Sequence, residues 1–313
     1  MSHPITAILF SGQGAQVLGM GHDLATRYPQ SMAFFSRAND ILGTMLSEIM
    51  FNGPFEQLTQ TALCQPALYV HGLSCFHLLK EKVPSLTFHA AAGLSLGEFT
   101  AHAAAGTFDF ETGLKLVAQR AQFMQEACEE SAGSMAAIIG ADEETVRRLA
   151  AVADVDVANF NAPGQIVISG KKENITNALA LAREHNIRKA LELSVAGAFH
   201  SRLMESARQE LQIVLEKTSI SLPQLPVIAN VSASAATSPQ EIRDTLADQV
   251  TGSVRWQESI ESLLDEYHCT RFLEFGPGKV LAGLISRIRK GVEVISISDV
   301  PSLESAIELL KNE

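Results

Sequence analysis

The chain has 313 residues, of which 46% are hydrophobic and 6% aromatic, and its formal net charge at pH 7 is -11. This apolar content excludes a disordered chain, and the length fits one large domain, with or without a smaller one. The negative charge argues against nucleic acid as a general partner, although a local basic patch could still bind an acidic ligand. No stretch has the pattern of a signal peptide or the length of a membrane span, so we expect no membrane partner.

The cysteines are far apart in the sequence, at Cys64, Cys75, Cys128 and Cys269. Their spacing matches neither a metal site nor a disulfide framework, which is typical of a protein from a reducing compartment. We therefore expect a cytoplasmic protein that binds no metal. We also expect it to be a monomer.

The first predicted strand, Ile5–Phe10, runs into a loop of sequence SGQGAQ at residues 11–16. Glycines on both sides of Gln13 would let this loop approach another backbone or a ligand closely. The spacing is not that of a phosphate-binding loop, which needs either the G-x-G-x-x-G pattern or the Walker lysine. Taken alone, the loop predicts a plain turn.

The segment from Tyr28 to Leu79 has a mostly helical pattern, and we assign no chemistry to it. Pro66 is expected in the first turn of a helix that continues over Ala67–Leu79. Proline is tolerated there because the N–H that it lacks would have no helical acceptor.

The sequence GLSLG at residues 93–97 lies between a small apolar segment and an alanine-rich helix pattern. A G-x-S-x-G pattern between a strand and a helix predicts a nucleophile elbow, a strained turn that exposes the hydroxyl of Ser95. Both glycines are needed because a Cβ at either place would clash with neighbouring backbone. The amide of Leu96 would point toward a developing oxyanion. The alternative is an ordinary turn with a helix-capping serine; the flanking strand and helix favour the nucleophile.

The next helix is predicted over Phe110–Glu130, with Leu114, Val117 and Ala121 on its apolar side. Arg120 lies in this run among apolar neighbours. It could be an ordinary surface arginine whose stem covers apolar area. It could instead be a buried guanidinium that meets a substrate carboxylate, because burying this charge unpaired is costly. The residues alone favour neither interpretation.

Six elements in the middle of the chain follow the order β-α-β-β-α-β. They are predicted over Met135–Gly140, Asp142–Val152, Asp156–Asn161, Gln165–Ser169, Glu173–His185 and Lys189–Val195. This order is that of a ferredoxin-like unit, in which residues 162–164 form a hairpin turn. We therefore predict a ferredoxin-like small domain over residues 131–195. It is inserted into a large domain formed by residues 1–130 and 196–313.

The large domain resumes with the sequence GAFHS at residues 197–201, at the junction of the two domains. His200 is placed there as a candidate base, and the alternative is a structural histidine at the domain boundary. The later segments again alternate, with strands at Pro226–Val231 and Val292–Ile297, a strand that runs into a glycine-proline turn over Arg271–Gly278, and helices between them. Strands that alternate with helices around a G-x-S-x-G turn predict an α/β fold of hydrolase-like type with a parallel sheet.

These motifs, in this order and at these intervals, resemble the malonyl-CoA:acyl carrier protein transacylase family over essentially the whole chain. The matching residues are 12–16 (GQGAQ), 93–98 (GLSLGE), Arg120, 161–165 (NAPGQ), 199–201 (FHS), Gln249 and 274–278 (EFGPG). Each motif alone is weak, and the ordered set is specific.

The resemblance implies a catalytic role for several matching residues. Ser95 would be the acyl nucleophile and His200 its general base, oriented by the backbone carbonyl of Gln249. The backbone amides of Gln13 and Leu96 would form the oxyanion hole. The implied reaction transfers a malonyl group from malonyl-CoA, through a serine ester, to the phosphopantetheine thiol of an acyl carrier protein. It needs neither metal nor redox cofactor.

The resemblance also implies how the substrate is selected. Arg120 would pair with the free malonyl carboxylate, and Phe199 would favour malonyl over methylmalonyl. One residue departs from the family pattern: Leu94 stands where histidine is common. Its side chain takes no part in the chemistry, so this departure leaves open only whether the product enters fatty acid or polyketide synthesis.

Two other functions share part of the pattern. A serine esterase or thioesterase would also use Ser95 and His200, but it would be expected to have an acidic third member and no need of Arg120. A non-catalytic docking protein would require none of these residues. The transacylase accounts for all three.

An acyl carrier protein is typically acidic, as this chain is, so docking requires a local basic surface. Two clusters could supply it. They are Lys171, Lys172, Arg188 and Lys189 in the insert, and Lys279, Arg287, Arg289 and Lys290 near the C-terminus. For any single residue among them, an ordinary solvated charge is the competing interpretation.

Overall fold

The structure is a computed structural model that describes residues 4–184 and 187–311. The strands in these residues are β1 (Thr6–Phe10), β2 (Ala90–Gly93), β3 (Gly133–Ile139), β4 (Asp156–Ala162), β5 (Gln165–Lys171), β6 (Lys189–Glu192), β7 (Val227–Ile228), β8 (Arg271–Phe275) and β9 (Glu293–Ile297). The helices are α1 (His22–Arg27), α2 (Pro29–Leu42), α3 (Leu46–Asn52), α4 (Phe55–Leu58), α5 (Thr61–Lys82), α6 (Leu96–Ala104), α7 (Phe110–Glu130), α8 (Glu143–Ala153), α9 (Lys172–Glu184), α10 (Glu205–Lys217), α11 (Pro239–Asp248), α12 (Trp256–Asp265), α13 (Val280–Ile288) and α14 (Val300–Lys311). A 3-10 turn at Arg202–Met204 precedes α10.

The larger sheet is parallel, with strand order β7-β2-β1-β8-β9. Both faces are covered, since the alternate residues Ile8 and Leu9 of β1 pack into two different apolar clusters. A strand buried on both faces is a continuous apolar run, as β1 is. The loops after β1, β2 and β7 leave the same edge of the sheet, where ligands bind in open α/β sheets.

The smaller sheet is antiparallel, with strand order β4-β5-β3-β6. Helices α8 and α9 cover it with a separate apolar core that includes Ile138, Leu149, Ile168 and Ile175. Strands β4 and β5 are joined by a two-residue turn at 163–164, where Gly164 has a φ of 68°. The predicted α/β fold with a ferredoxin-like insert is therefore confirmed.

The two sheets are joined by main-chain hydrogen bonds. Val254, which lies between α11 and α12, donates to the Ala158 carbonyl at 2.8 Å and accepts from the Phe160 N–H at 2.9 Å. Ser253 Oγ donates to the Val157 carbonyl at 2.6 Å. A segment of the large sheet's chain thus extends the edge of the small sheet at β4.

Three sequence expectations differ from the structure. Pro66 lies inside α5 rather than in the first turn of a helix, because the helix begins at Thr61. Its first turn is held from outside, since the Ala62 N–H donates to Gln125 Oε1 at 3.1 Å. The strand predicted over residues 226–231 is limited to Val227–Ile228, and the last strand of the insert ends at Glu192. His185, predicted in α9, lies outside the described residues.

In the described part of the chain, none of the helices combines the length and the apolar character that crossing a membrane requires.

Candidate active site

Ser95 stands in a strained turn between β2 and α6, with φ 54° and ψ -109°. A Cβ on Gly93 would collide with the backbone of Gly97, and one on Gly97 would collide with the carbonyl of Phe10. Both clashes are the ones that the G-x-S-x-G pattern predicts, so the strained turn is confirmed, and the role of Ser95 as nucleophile remains a prediction. Backbone strain of this kind costs about 1–3 kcal/mol and persists only where the surroundings impose it.

His200 is held beside the serine by the turn that begins the 3-10 helix. Its φ is also 54°. The Ser201 hydroxyl fixes this turn, because it donates to the Ala198 carbonyl at 2.6 Å and accepts from the Leu203 N–H at 3.2 Å. The His200 Nε2 atom lies 2.8 Å from Ser95 Oγ.

The other ring nitrogen of His200 fixes the tautomer. Nδ1 lies 2.7 Å from the main-chain carbonyl of Gln249. A carbonyl only accepts, so Nδ1 carries the proton and Nε2 is free to accept from the serine. Burial, and secondly the charge of Arg120, lower the pKa of His200 to about 4, against the opposing hydrogen bonds of Gln249 and Gly252. The imidazole is therefore neutral at pH 7.

Arg120 is buried, with 1% of its surface exposed, and its guanidinium reaches the serine. Nη2 donates to Ser95 Oγ at 3.1 Å and to Gln249 Oε1 at 2.7 Å. Nη1 donates to Gln65 Oε1 at 2.6 Å, and Nε has no acceptor among the described residues. Burial lowers the pKa of Arg120 to about 10, with Glu98 opposing, so the group stays cationic at neutral pH.

Two backbone amides are placed for an oxyanion. In the part of the chain that the structure describes, neither the Gln13 N–H nor the Leu96 N–H has a hydrogen-bond acceptor. The loop of Gln13 lies against the elbow so closely that a Cβ on Gly12 would collide with the carbonyl of Leu94. The prediction of a close approach is confirmed, and the role in oxyanion binding remains a prediction.

A cavity of about 580 Å³ opens onto these residues. Ser95, His200, Gln13 and Leu96 all line it, together with Phe199, which is 7% exposed. Strands of the four-stranded sheet form one part of its wall, loops and helices around the five-stranded sheet form the rest, and apolar atoms dominate its surface. The site predicted from the sequence is thus gathered at one cavity, with Arg120 and Gln249 buried behind the serine.

Sequence reasoning missed three buried polar residues around the site. Gln65 holds the guanidinium, as described above. Asn230 accepts the Ser95 N–H at 2.7 Å, and its own N–H donates to Glu98 Oε2 at 3.0 Å. Burial raises the pKa of Glu98 to about 7, and hydrogen bonds from Gln249 and Asn230 oppose this. The sequence placed Asn230 inside the strand predicted over Pro226–Val231, and an asparagine there does not specify a partner.

Comparison with known proteins defines the class first. Residues 8–306 match the model of a family described as an acyl transferase domain. A malonyl CoA-acyl carrier protein transacylase of Bacillus subtilis (strain 168) is 40% identical over 312 residues, which cover 98% of each chain. A polyketide biosynthesis malonyl CoA-acyl carrier protein transacylase of the same strain is 41% identical over 292 residues, 92% of this chain and 98% of the relative.

A solved structure agrees. It is that of a type II PKS acyl-carrier protein in complex with its malonyl-transacylase, which has a TM-score of 0.94 and 38% identity and covers 97% of this chain and 99% of the other. The chain belongs to the family of malonyl CoA-acyl carrier protein transacylases. The resemblance seen in the sequence motifs is confirmed.

Proposed function

We propose that this enzyme transfers a malonyl group from malonyl-CoA to the phosphopantetheine thiol of an acyl carrier protein, with Ser95 as the covalent carrier. The observation that supports the substrate is the position of Arg120. The guanidinium is cationic and lies 3.1 Å from the serine oxygen, so it can pair with an acyl group on that oxygen that carries a free carboxylate close to the ester. A malonyl group does, and an acetyl group does not.

The first half-reaction follows from the serine-histidine pair. His200 Nε2 takes the Ser95 proton as Oγ attacks the thioester carbon, and the N–H groups of Gln13 and Leu96 hold the oxyanion. When the tetrahedral intermediate collapses, the C–S bond breaks and His200 returns the proton to the sulfur of coenzyme A. A malonyl-serine ester remains.

The second half-reaction reverses these steps with a different thiol. The carrier's thiol gives its proton to His200 Nε2 and attacks the ester carbon, and Ser95 recovers the proton as the C–O bond breaks. Transfer must outpace hydrolysis, which requires that water be kept from the ester. A largely apolar cavity that the arriving pantetheine arm fills would serve this purpose.

An esterase is the competing reaction for a serine with a histidine. It would be expected to orient His200 with a carboxylate, whereas the partner here is the Gln249 carbonyl. An esterase substrate would also offer no carboxylate for the buried guanidinium of Arg120 to bind.

The test is intact-protein mass spectrometry after mixing the enzyme with equal malonyl-, methylmalonyl- and acetyl-CoA. We expect a malonyl adduct on the wild type, none on Ser95→Ala, and an acetyl adduct in its place on Arg120→Ala. No adduct together with accumulation of free acid would indicate a hydrolase. An adduct without malonyl preference would overturn the role of Arg120 and leave the acyltransferase.

The remaining expectations are proposals of the same kind. We infer a monomer in the cytoplasm that binds neither nucleic acid nor membrane, which the charge of -11 and four unpaired cysteines support. Residues 131–195 are proposed as the small domain, since β3 to β6 and their helices have a core of their own.

Carrier docking is proposed at the C-terminal basic cluster. This cluster begins beside the cavity, because Lys279 precedes Val280, which is 47% exposed and lines the cavity. One member, Arg289, is already paired with Asp265 at 2.6 Å. The exposed residues Arg287 and Lys290 remain available to an acidic partner.

Charge reversal tests this surface. Arg287→Glu with Lys290→Glu should raise the KM for the carrier roughly tenfold and leave the KM for malonyl-CoA nearly unchanged, because like charges repel the carrier. The matched control reverses Lys171 and Lys172 in the insert. An unchanged carrier KM for the C-terminal pair would remove this cluster from consideration.

A further inference from the structure

Asn230 lies just past the point where the hydrogen-bonded pairing of β2 with β7 ends. β2 and β7 pair through Ala91 with Val227 and Ala92 with Ile228. If both strands continued in that register, Asn230 would pair with the residue just before the serine. The chain turns there instead, and the main-chain ladder ends.

The Asn230 side chain takes the place of the lost ladder. Its Oδ1 atom accepts the Ser95 N–H at 2.7 Å, and its Nδ2 atom donates to the Gly93 carbonyl at 2.8 Å. The residue is fully buried. One amide therefore holds the main chain on both sides of the strained turn.

The orientation of this amide follows from its partners. An N–H can only donate and a carbonyl can only accept, so a flipped amide would face donor to donor and acceptor to acceptor. The site consequently needs one donor and one acceptor on the same planar group. An aspartate ionised at this position would supply only acceptors.

The same residue connects the serine to the histidine. The Asn230 N–H donates to Glu98 Oε2 at 3.0 Å, and that oxygen also accepts from Gln249 Nε2 at 2.7 Å. The carbonyl of Gln249 in turn accepts from His200 Nδ1. A single buried carboxyl oxygen thus links the residue that holds the elbow to the residue that orients the base.

We propose that Asn230 is a positioning residue that fixes the nucleophile in its strained conformation and in register with the base. This rests on the proposed function only in taking Ser95 as the nucleophile. Misplacement by about 1 Å can slow a reaction by about 100-fold, so removal of the side chain should lower the reactivity of the serine far more than the binding of substrate.

The test uses a fluorophosphonate, with which an activated serine forms a P–O bond as fluoride leaves. The second-order labelling rate constant is measured for the wild type, Asn230→Ala and Ser95→Ala. We expect Asn230→Ala to label about 100-fold more slowly than the wild type, with the KM for malonyl-CoA changed less than threefold. Ser95→Ala should not label.

A matched control separates positioning from stability. Asn39 likewise makes two hydrogen bonds with one amide, accepting from the Ser47 N–H at 3.0 Å and donating to Ser47 Oγ at 2.8 Å, and neither residue lines the cavity. Asn39→Ala should therefore cost some stability and leave the labelling rate within twofold of the wild type. A purely structural Asn230 would behave in the same way.

Should Asn230→Ala fail to fold, Asn230→Asp is the second variant, because it keeps the acceptor for Ser95 and loses the donor to Gly93. It should label about tenfold more slowly. A folded variant of either kind that labels within twofold of the wild type overturns the proposal. Labelling that persists in Ser95→Ala would overturn the assignment of the nucleophile itself, and with it the role of Asn230.

Discussion

At the scale of single residues, burial decides which protonation state each reactive group has. His200 is neutral at pH 7 because desolvation disfavours its cation, and Arg120 remains charged because its ordinary pKa is far higher. The free base and the permanent cation that the proposed transfer of a malonyl group requires are therefore present together at neutral pH.

A pH profile tests this description. Because the imidazole accepts the serine proton only when neutral, acylation should stay fast as the pH falls to 5 and decline only near pH 4. Single-turnover acylation after a pH jump, followed by mass spectrometry, measures it. In Arg120→Gln the decline should begin at a higher pH, because one cause of the low pKa is gone. A decline centred at pH 6.5 in the wild type would contradict the buried neutral histidine.

The site residues differ in how far their placement could be predicted from the sequence. Ser95 lies in a motif with local reasons for its conformation, so its placement was predictable from neighbouring residues, whereas His200 was expected as the base only through the resemblance to the family. The surroundings of Arg120 were not, because Gln65 and Gln249, which hold its guanidinium, are far from it in the chain. The helix pattern did not show which way the Arg120 side chain points, and the packing of α5 on α7 determines it.

At the scale of elements, the elbow depends on β1, β2 and α6 approaching without side chains between them. Gly97→Ala should abolish acylation and destabilise the protein by several kcal/mol, because its Cβ would meet the carbonyl of Phe10. Urea unfolding and the mass-spectrometric adduct measure the two effects.

Gly283 supplies the matched control for that substitution. It lies in α13, and a Cβ there meets nothing within 4 Å. Gly283→Ala should therefore keep full activity and raise the free energy of unfolding by up to about 1 kcal/mol, since alanine is the better helix former. Equal effects of the two substitutions would show that the close approach at the elbow is unimportant.

Elements differ in how well the sequence specifies them. Helix α7 has the bounds predicted from its regular apolar spacing, and in the structure the Asp109 side chain caps its first turn. β7 is only two residues long because the chain turns after Ile228, where the Ala229 N–H donates to the Ser234 carbonyl. No local pattern marks that turn, which depends on the neighbouring strand.

At the scale of the whole molecule, buried histidines make stability depend on pH. Burial lowers the pKa of His71 and His200 to about 4 and that of His102 to about 3. Below pH 6.5 the unfolded chain binds protons that the folded chain does not, so stability falls as the pH drops from 6.5 toward 4. Glu98 acts in the opposite direction, because its raised pKa lets the folded state bind a proton below pH 7.

The expected net change follows from these shifts. Between pH 7.5 and pH 5.5 the three histidines should lower the free energy of unfolding by about 4 kcal/mol and Glu98 should raise it by about 2 kcal/mol, so these four groups together lower it by about 2 kcal/mol. Urea unfolding at the two pH values measures it. His71→Gln should reduce the histidine contribution by about one third. Stability that rises on acidification would mean that these imidazoles are not held neutral.

The joint between the two sheets has a mechanical consequence. Only four residues separate the carbonyl of Gln249 from Val254, which is bonded in both directions to β4. A segment of four residues allows little relative movement of its two ends. The four-stranded sheet cannot swing away from the five-stranded sheet without breaking those bonds or displacing the carbonyl that orients His200. A displacement of β4 would therefore also move the carbonyl that is hydrogen-bonded to His200 Nδ1.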